Sequence, residues 1–341
     1  MSRRSLIIVL ALGALVVAGG FVGVVLATSG GDDKLTIYTA RSHYGEEAPF
    51  KTFAADEDVN LTLFGGSASE LYERLKSEGS NTKADALITV DAANLYRAEE
   101  AGLLAENRDP EVEKHVPPNL RDPKGRWYGL TVRARTIMRS KDRVKPDAVT
   151  TYAGLGDPRW KGKLCLRSGT SEYNISFVAD RIAKDGAART KAMLQRWMDN
   201  EPTILGSDTD VLKSISGGAC DVGLTNSYYL GRELEEDEDF PVVPVWADQK
   251  GRGTHLNLSG IGVVKGADQA AEAKALVRYL TEPKEQRVFA QNNHEFGVDS
   301  QSDTTPEIKQ FGSFKKDPID VAGAGKHLDD AVKMMNSVGW N

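Results

Sequence analysis

The chain has 341 residues, 40% of them apolar and 27% charged, with a net charge of −6. That length allows two domains or one large one. The composition is that of a soluble globular protein, and the lack of a basic excess excludes a nucleic-acid binder.

Residues 1–33 stand apart. Arg3 and Arg4 precede an uncharged, mainly apolar run from Leu6 to Thr28, and a polar SGGDD linker follows. This is a basic n-region followed by an export segment. It is either a signal peptide cut near Ala27 or an uncleaved anchor, and its length, enough to span a bilayer, favours the anchor. The two arginines then stay on the cytoplasmic side. No cysteine closes the run, so lipoprotein attachment has no support. The rest of the chain works outside the cytoplasm, where Cys165 and Cys220 either pair with each other or remain two buried thiols.

KLTIYTA alternates apolar and polar residues and reads as a strand. VNLTLFGG is a second strand ending in a glycine turn, and SASELYERLKSEG a helix with Ser67 or Ser69 as N-cap. ADALITVDAANLYRAEEAGLL is a strand and then a helix. WYGLTVRARTIMRS is a strand pair or one long strand. GKLCLRSGTSEYNISFVADRIAKDG is strand, glycine turn, helix and helix stop. VLKSISGGACDVGLTNSYYLGRE is helix, turn and strand, closed by Tyr228 and Tyr229. LEEDEDF is a solvated acidic loop rather than a metal site. QAAEAKALVRYLTEP places Ala273, Leu276, Val277 and Leu280 on one helical face. Alternating strands and helices give an α/β protein.

Three segments carry phenols just past a predicted strand: His43 and Tyr44 after LTIY, Tyr173 after KLCL, and Tyr228 with Tyr229 after CDVGL. Strand C-terminal ends are where ligands bind in open α/β sheets. Any one tyrosine is more simply a core or rim residue. Together they fit a hard trivalent cation, which prefers oxygen ligands and displaces phenolic protons. Three phenolates balance three positive charges.

The segments YTARSHYGEE, WKGKLCLRSGTSEYN and GGACDVGLTNSYY resemble the ferric-iron-binding substrate-binding proteins of bacterial ABC transporters. The likeness runs from about Leu35 to near Val298, and ADALITVDAANLYRAEEAGLL and WYGLTVRAR follow the family in the same order. It implies the type II periplasmic-binding-protein fold, with two α/β lobes, each a mixed sheet flanked by helices, closing on a ligand between them. The first lobe takes 34–131 and 259–312, the second 132–258 and 313–341. The paired family tyrosines fall on Tyr228 and Tyr229. In the branch whose first motif ends in HY, further ligands fall on Tyr44 and Tyr173, with His43 a ligand or close neighbour. The other branch uses a glutamate where this chain has Val90, which favours the tyrosine-rich set. The resemblance also implies a small synergistic anion such as carbonate. Ser168, Thr170 and Ser171 stand at a helix N-terminus suited to it, with Arg133, Arg41 and Asn226 as further candidates. A Cys165–Cys220 disulfide would tie two tyrosine-bearing segments together.

The implied role is that of a monomer that captures Fe³⁺ and delivers it to an ABC permease. An organic-solute binder of the same fold, for a polyamine, thiamine or phosphonate, is the alternative. An enzyme is excluded by the lack of a G-x-S-x-G elbow, HExxH or P-loop. His255 and His294 read as isolated surface or rim residues.

Overall fold

The structure, a computed structural model, describes residues 23–26, 34–41, 48–299 and 304–341. Among them are β1 (Gly23–Leu26), β2 (Lys34–Thr39), β3 (Asn60–Gly65), β4 (Ala86–Thr89), β5 (Tyr128–Ser140), β6 (Leu164–Arg167), β7 (Thr203–Leu205), β8 (Val222–Asn226), β9 (Val242–Val245), β10 (Leu256–Val263) and β11 (Phe296–Gly297). They join in the order β1-β3-β2-β4-β10-β5-β8-β6-β7, with β9 and β11 also pairing with β5. Two parallel blocks, β3-β2-β4 and β8-β6-β7, flank the antiparallel strands β10 and β5.

The hinge between the blocks is β5. Its 13 residues form one long strand rather than a pair. Tyr128–Ala134 pair with β10, whereas Arg135–Arg139 pair with β8. The strand is buried almost throughout: Leu130, Val132 and Ala134 alternate with Thr131, Arg133 and Arg135, which are also buried and find polar partners in the fold. Arg133 and Arg135, two residues apart, project to the same face. The chain crosses back between β9 and β10. A last short helix, Val321–Lys326, packs against both the Ala92–Glu100 and the Glu172–Asp185 helices, which lie in opposite halves. The final helix, Leu328–Ser337, lies on Glu172–Asp185.

The local elements follow from their sequence signals. Ser67 caps the Ala68–Glu78 helix in a full capping box with Glu70, which satisfies two end donors reciprocally. Ala273, Leu276, Val277 and Leu280 are all buried on one face of the Ala270–Leu280 helix. One core holds the first half and continues through Leu212, Ile215, Leu230 and Leu234 on two helices of the second. The other, around Phe177, Trp160, Trp197 and Trp340, holds the second half.

Of residues 1–33, expected to export or anchor the chain, only Gly23–Leu26 falls among the described residues, as an edge strand antiparallel to β3. No helix among the described residues is long and apolar enough to cross a membrane.

Candidate functional site

β6 ends at Arg167 and β8 at Asn226, as neighbours in a parallel pair. Each strand runs through a short turn or directly into a helix: Glu172–Asp185 after β6, Ser227–Glu236 after β8. Parallel pairing therefore brings two helix N-termini side by side. Tyr173 stands in the first turn of one helix, and Tyr228 and Tyr229 in the first turn of the other. The turn before Tyr173 is pinned from behind: a Cβ at Gly169 would run into the carbonyl of Trp340, and the Trp340 indole donates to the Arg167 carbonyl at 2.9 Å.

The three second-half phenols meet. Tyr228 Oη donates to Tyr173 Oη at 3.2 Å. The Tyr228 and Tyr229 rings lie 4.2 Å apart between centroids. All three residues are buried. Guanidiniums line the cluster: Arg133 and Arg167 sit 5.7 and 5.5 Å from the Tyr173 ring centre, and Arg232 sits 5.1 Å from that of Tyr228 and 5.5 Å from that of Tyr229. Burial pushes the Tyr173 phenol well above its ordinary pKa; the Tyr229 phenol adds to the shift and Arg133 opposes it. Without a cation the phenol is therefore neutral at physiological pH. A bound metal would have to supply the attraction that ionises it, with help from the helix N-termini.

His43 and Tyr44 lie outside the described residues. Arg41, just before them, is buried and donates to Thr131 and Ser259, and pairs with Glu295 at 2.8 Å. Arg133 shares the same carboxylate at 3.3 Å and also donates to the Val90 carbonyl. Two guanidiniums thus bracket Glu295 beside the cluster. Asn226 accepts from Arg135 Nη1 at 3.1 Å, and Arg135 also binds Asn174 and Asp208. The Ser168 and Thr170 hydroxyls bond each other at 2.9 Å. The Ser171 hydroxyl, the Ser227 hydroxyl and Asn226 Nδ2 are buried without a protein partner among the described residues. Cys165 and Cys220 form a disulfide, with 5.8 Å between their Cα atoms.

Sequence reasoning missed Glu172, beside Tyr173. Its Oε2 accepts the Ala68 N–H at 3.1 Å from the opposite half. Burial, and next the Asp91 carboxylate, push its pKa up to about 8. Asp91 is fully buried as the N-cap of the Ala92–Glu100 helix. Arg167 and Arg232 were also missed. Glu172 sits in the quoted SGTSEYN stretch, but its partner is 104 residues away.

The reading of His255 and His294 as surface or rim residues is corrected: both are 2% exposed. His255 Nδ1 lies 3.0 Å from Asp180. His294 bonds Thr305 at 2.7 Å and Glu235 at 3.1 Å. Among the described residues no group of three or more His, Cys, Asp or Glu is placed to hold a metal.

The model of a family described as bacterial extracellular solute-binding protein matches residues 48–316. Iron uptake protein A1 of Synechocystis is 38% identical over 322 residues, 92% of this chain and 89% of that protein. The solved Trichodesmium protein IdiA (FutA), in complex with iron and citrate, superposes with a TM-score of 0.80 at 36% identity, covering 91% of this chain and 100% of that one. Apo ferric ion-binding protein A of Pasteurella haemolytica gives a TM-score of 0.83 at 34% identity, with 90% of this chain and 98% of that one covered. The shared architecture is the two-lobed type II periplasmic-binding fold.

Proposed function

The chain belongs to the bacterial extracellular solute-binding protein family, and from that premise we propose that it captures ferric iron through tyrosinates and delivers it to an ABC permease. It is a binding protein rather than an enzyme, and it works outside the cytoplasm. The observation that carries the ferric reading is the meeting of Tyr173, Tyr228 and Tyr229 at two adjacent helix N-termini. Iron-binding relatives agree with it.

In this reading Tyr173, Tyr228 and Tyr229 from the second lobe and Tyr44 from the first give their phenolic protons to solvent and their oxygens to Fe³⁺. His43 is a fifth ligand or a close neighbour. The lobes are 34–131 with 259–312, and 132–258 with 313–341. Four phenolates carry one charge more than the ion balances, and Arg133, Arg167 and Arg232 offset the excess. A small synergistic anion such as carbonate would take the unpartnered Ser171 and Asn226 groups, with Ser168 and Thr170 at the same turn and Arg133 as charged donor. The citrate of the Trichodesmium structure makes a carboxylate another anion to test. The N-terminal segment exports or anchors the chain, which acts as a monomer on its permease.

The organic-solute alternative fits the site less well. Polyamines and thiamine call for open aromatic faces and carboxylates, whereas here guanidiniums already stand against the tyrosine rings.

The test is absorbance titration of the purified protein with ferric citrate. Wild type should develop a visible phenolate-to-iron charge-transfer band. Tyr228→Phe and Tyr229→Phe should each weaken binding by more than about 100-fold, beyond the ~10–100-fold of losing an outer partner, and shift or bleach the band. Unchanged colour and affinity in both variants would remove the ligand assignment.

A further inference from the structure

We infer that Glu172 is a positioning residue that latches the two lobes together, by accepting from the second lobe an N-terminal N–H that the capping box of a first-lobe helix does not serve. The inference rests on the proposed closure around iron. The Ala68–Glu78 helix begins with a capping box. Ser67 Oγ accepts the Glu70 N–H, and the Glu70 carboxylate accepts the Ser67 N–H. That box does not serve the N–H of Ala68, the first helical residue, which is one of the end donors a helix cannot satisfy internally. Its partner is Glu172 Oε2, at 3.1 Å and 104 residues further along the chain.

The contact is built to report on closure. Ala68 is fully buried, so an N–H left there without a partner is costly. Glu172 Oε2 faces the free N–H of the first helical turn at 3.1 Å, and a carboxyl oxygen accepts that bond whether the acid is ionised or protonated. Glu172 and Tyr173 are consecutive residues in one helical turn, so latch and phenol move as one body. Opening the cleft would separate Glu172 from Ala68 in the same motion that pulls Tyr173 from any ligand of the first lobe. The latch therefore acts on how long iron stays, not on which atoms bind it.

Iron release into excess EDTA, followed at the charge-transfer band, tests this. Glu172→Ala should release iron about tenfold faster, the scale of one hydrogen bond. Its band position and association rate should match wild type, because the phenols remain. Glu172→Gln should restore slow release, since the amide oxygen accepts the same N–H. Ala68→Pro removes the donor instead. Proline is tolerated at the first helical position, and Ser67 already has the extended ψ of 154° that a following proline requires. Its release rate should match that of Glu172→Ala, and the double variant should be no faster than either. Wild-type release from Glu172→Ala, or additive effects in the double variant, would overturn the latch. If wild type takes up no iron, the ferric reading fails instead. The latch is then judged from small-angle scattering of the metal-free proteins: a more open Glu172→Ala supports it, and identical profiles refute it.

Discussion

Gly231 sits in the middle of the helix that carries Tyr228 and Tyr229, where glycine costs about 1 kcal/mol relative to alanine. Close approach explains it: a Cβ there would lie 2.5 Å from the Cβ of His294. His294 cannot easily withdraw, because its ring is held by Thr305 on one side and Glu235 on the other. Gly231→Ala should therefore lower stability by about 1–3 kcal/mol through overpacking, despite the better helix propensity of alanine. Thermal unfolding decides it, and a raised melting temperature would mean that His294 yields. This contact also shows why single residues were hard to read in advance. His294 looked isolated because Glu235 is 59 residues away. Asp180 is 75 residues from His255, and Glu295 is 254 from Arg41. Buried polar groups find partners, but no local pattern names a partner that only the fold brings near.

At the scale of elements the sequence was far more legible, because strand–turn–helix units are written locally in alternation, caps and glycines. The units ending at Tyr173 and at Tyr228 could be located by these signals. Their adjacency could not, since it depends on Leu164–Leu166 pairing with Val222–Leu224. The partner switch inside β5 was equally hidden, because neither the alternation of Leu130, Val132 and Ala134 with Thr131, Arg133 and Arg135 nor the residues that follow say where one neighbour gives way to another. The strand pairing also sets what the disulfide can contribute. Cys165 lies opposite Gly223, three residues past Cys220, so the ladder already holds the two tyrosine-bearing units in register. The Cys165–Cys220 bond closes a loop of 55 residues, and loop entropy assigns such a cross-link roughly 4 kcal/mol. Replacing both cysteines with serine should lower the denaturation midpoint accordingly, yet leave the iron charge-transfer band in place. A variant that keeps its stability but loses its colour would reverse that ranking and make the disulfide a determinant of the site.

Over the whole molecule, the proposed capture and release follow from protons and from the crossings of the chain between the lobes. Burial holds the Tyr173 phenol above its ordinary pKa, so in the metal-free protein it keeps its proton through the neutral range. Iron must displace that proton, and one from each further phenol it binds. Lower pH raises the competing proton concentration, so affinity must fall as pH falls, by about tenfold per unit for every proton displaced. Titrations between about pH 5 and pH 8, ordinary working conditions well below the phenol range, should give a log-affinity slope near the number of phenolate ligands. A flat profile would remove phenolate binding altogether. In the proposed ligand set Tyr44 belongs to the first lobe, and Tyr173, Tyr228 and Tyr229 to the second. On that reading iron bonded to both sides would hold the cleft shut, and acid that frees the phenols would let β5 and the β9–β10 crossing act as hinges. Tyr44→Phe keeps the second-lobe cluster and its colour while cutting the metal's hold on the first lobe. Small-angle scattering with and without iron should therefore show wild type compacting and Tyr44→Phe compacting less, with a smaller loss in absorbance than in closure. Equal compaction in the two proteins would place the bridge between lobes on other contacts, with Glu172 and Ala68 the first to examine.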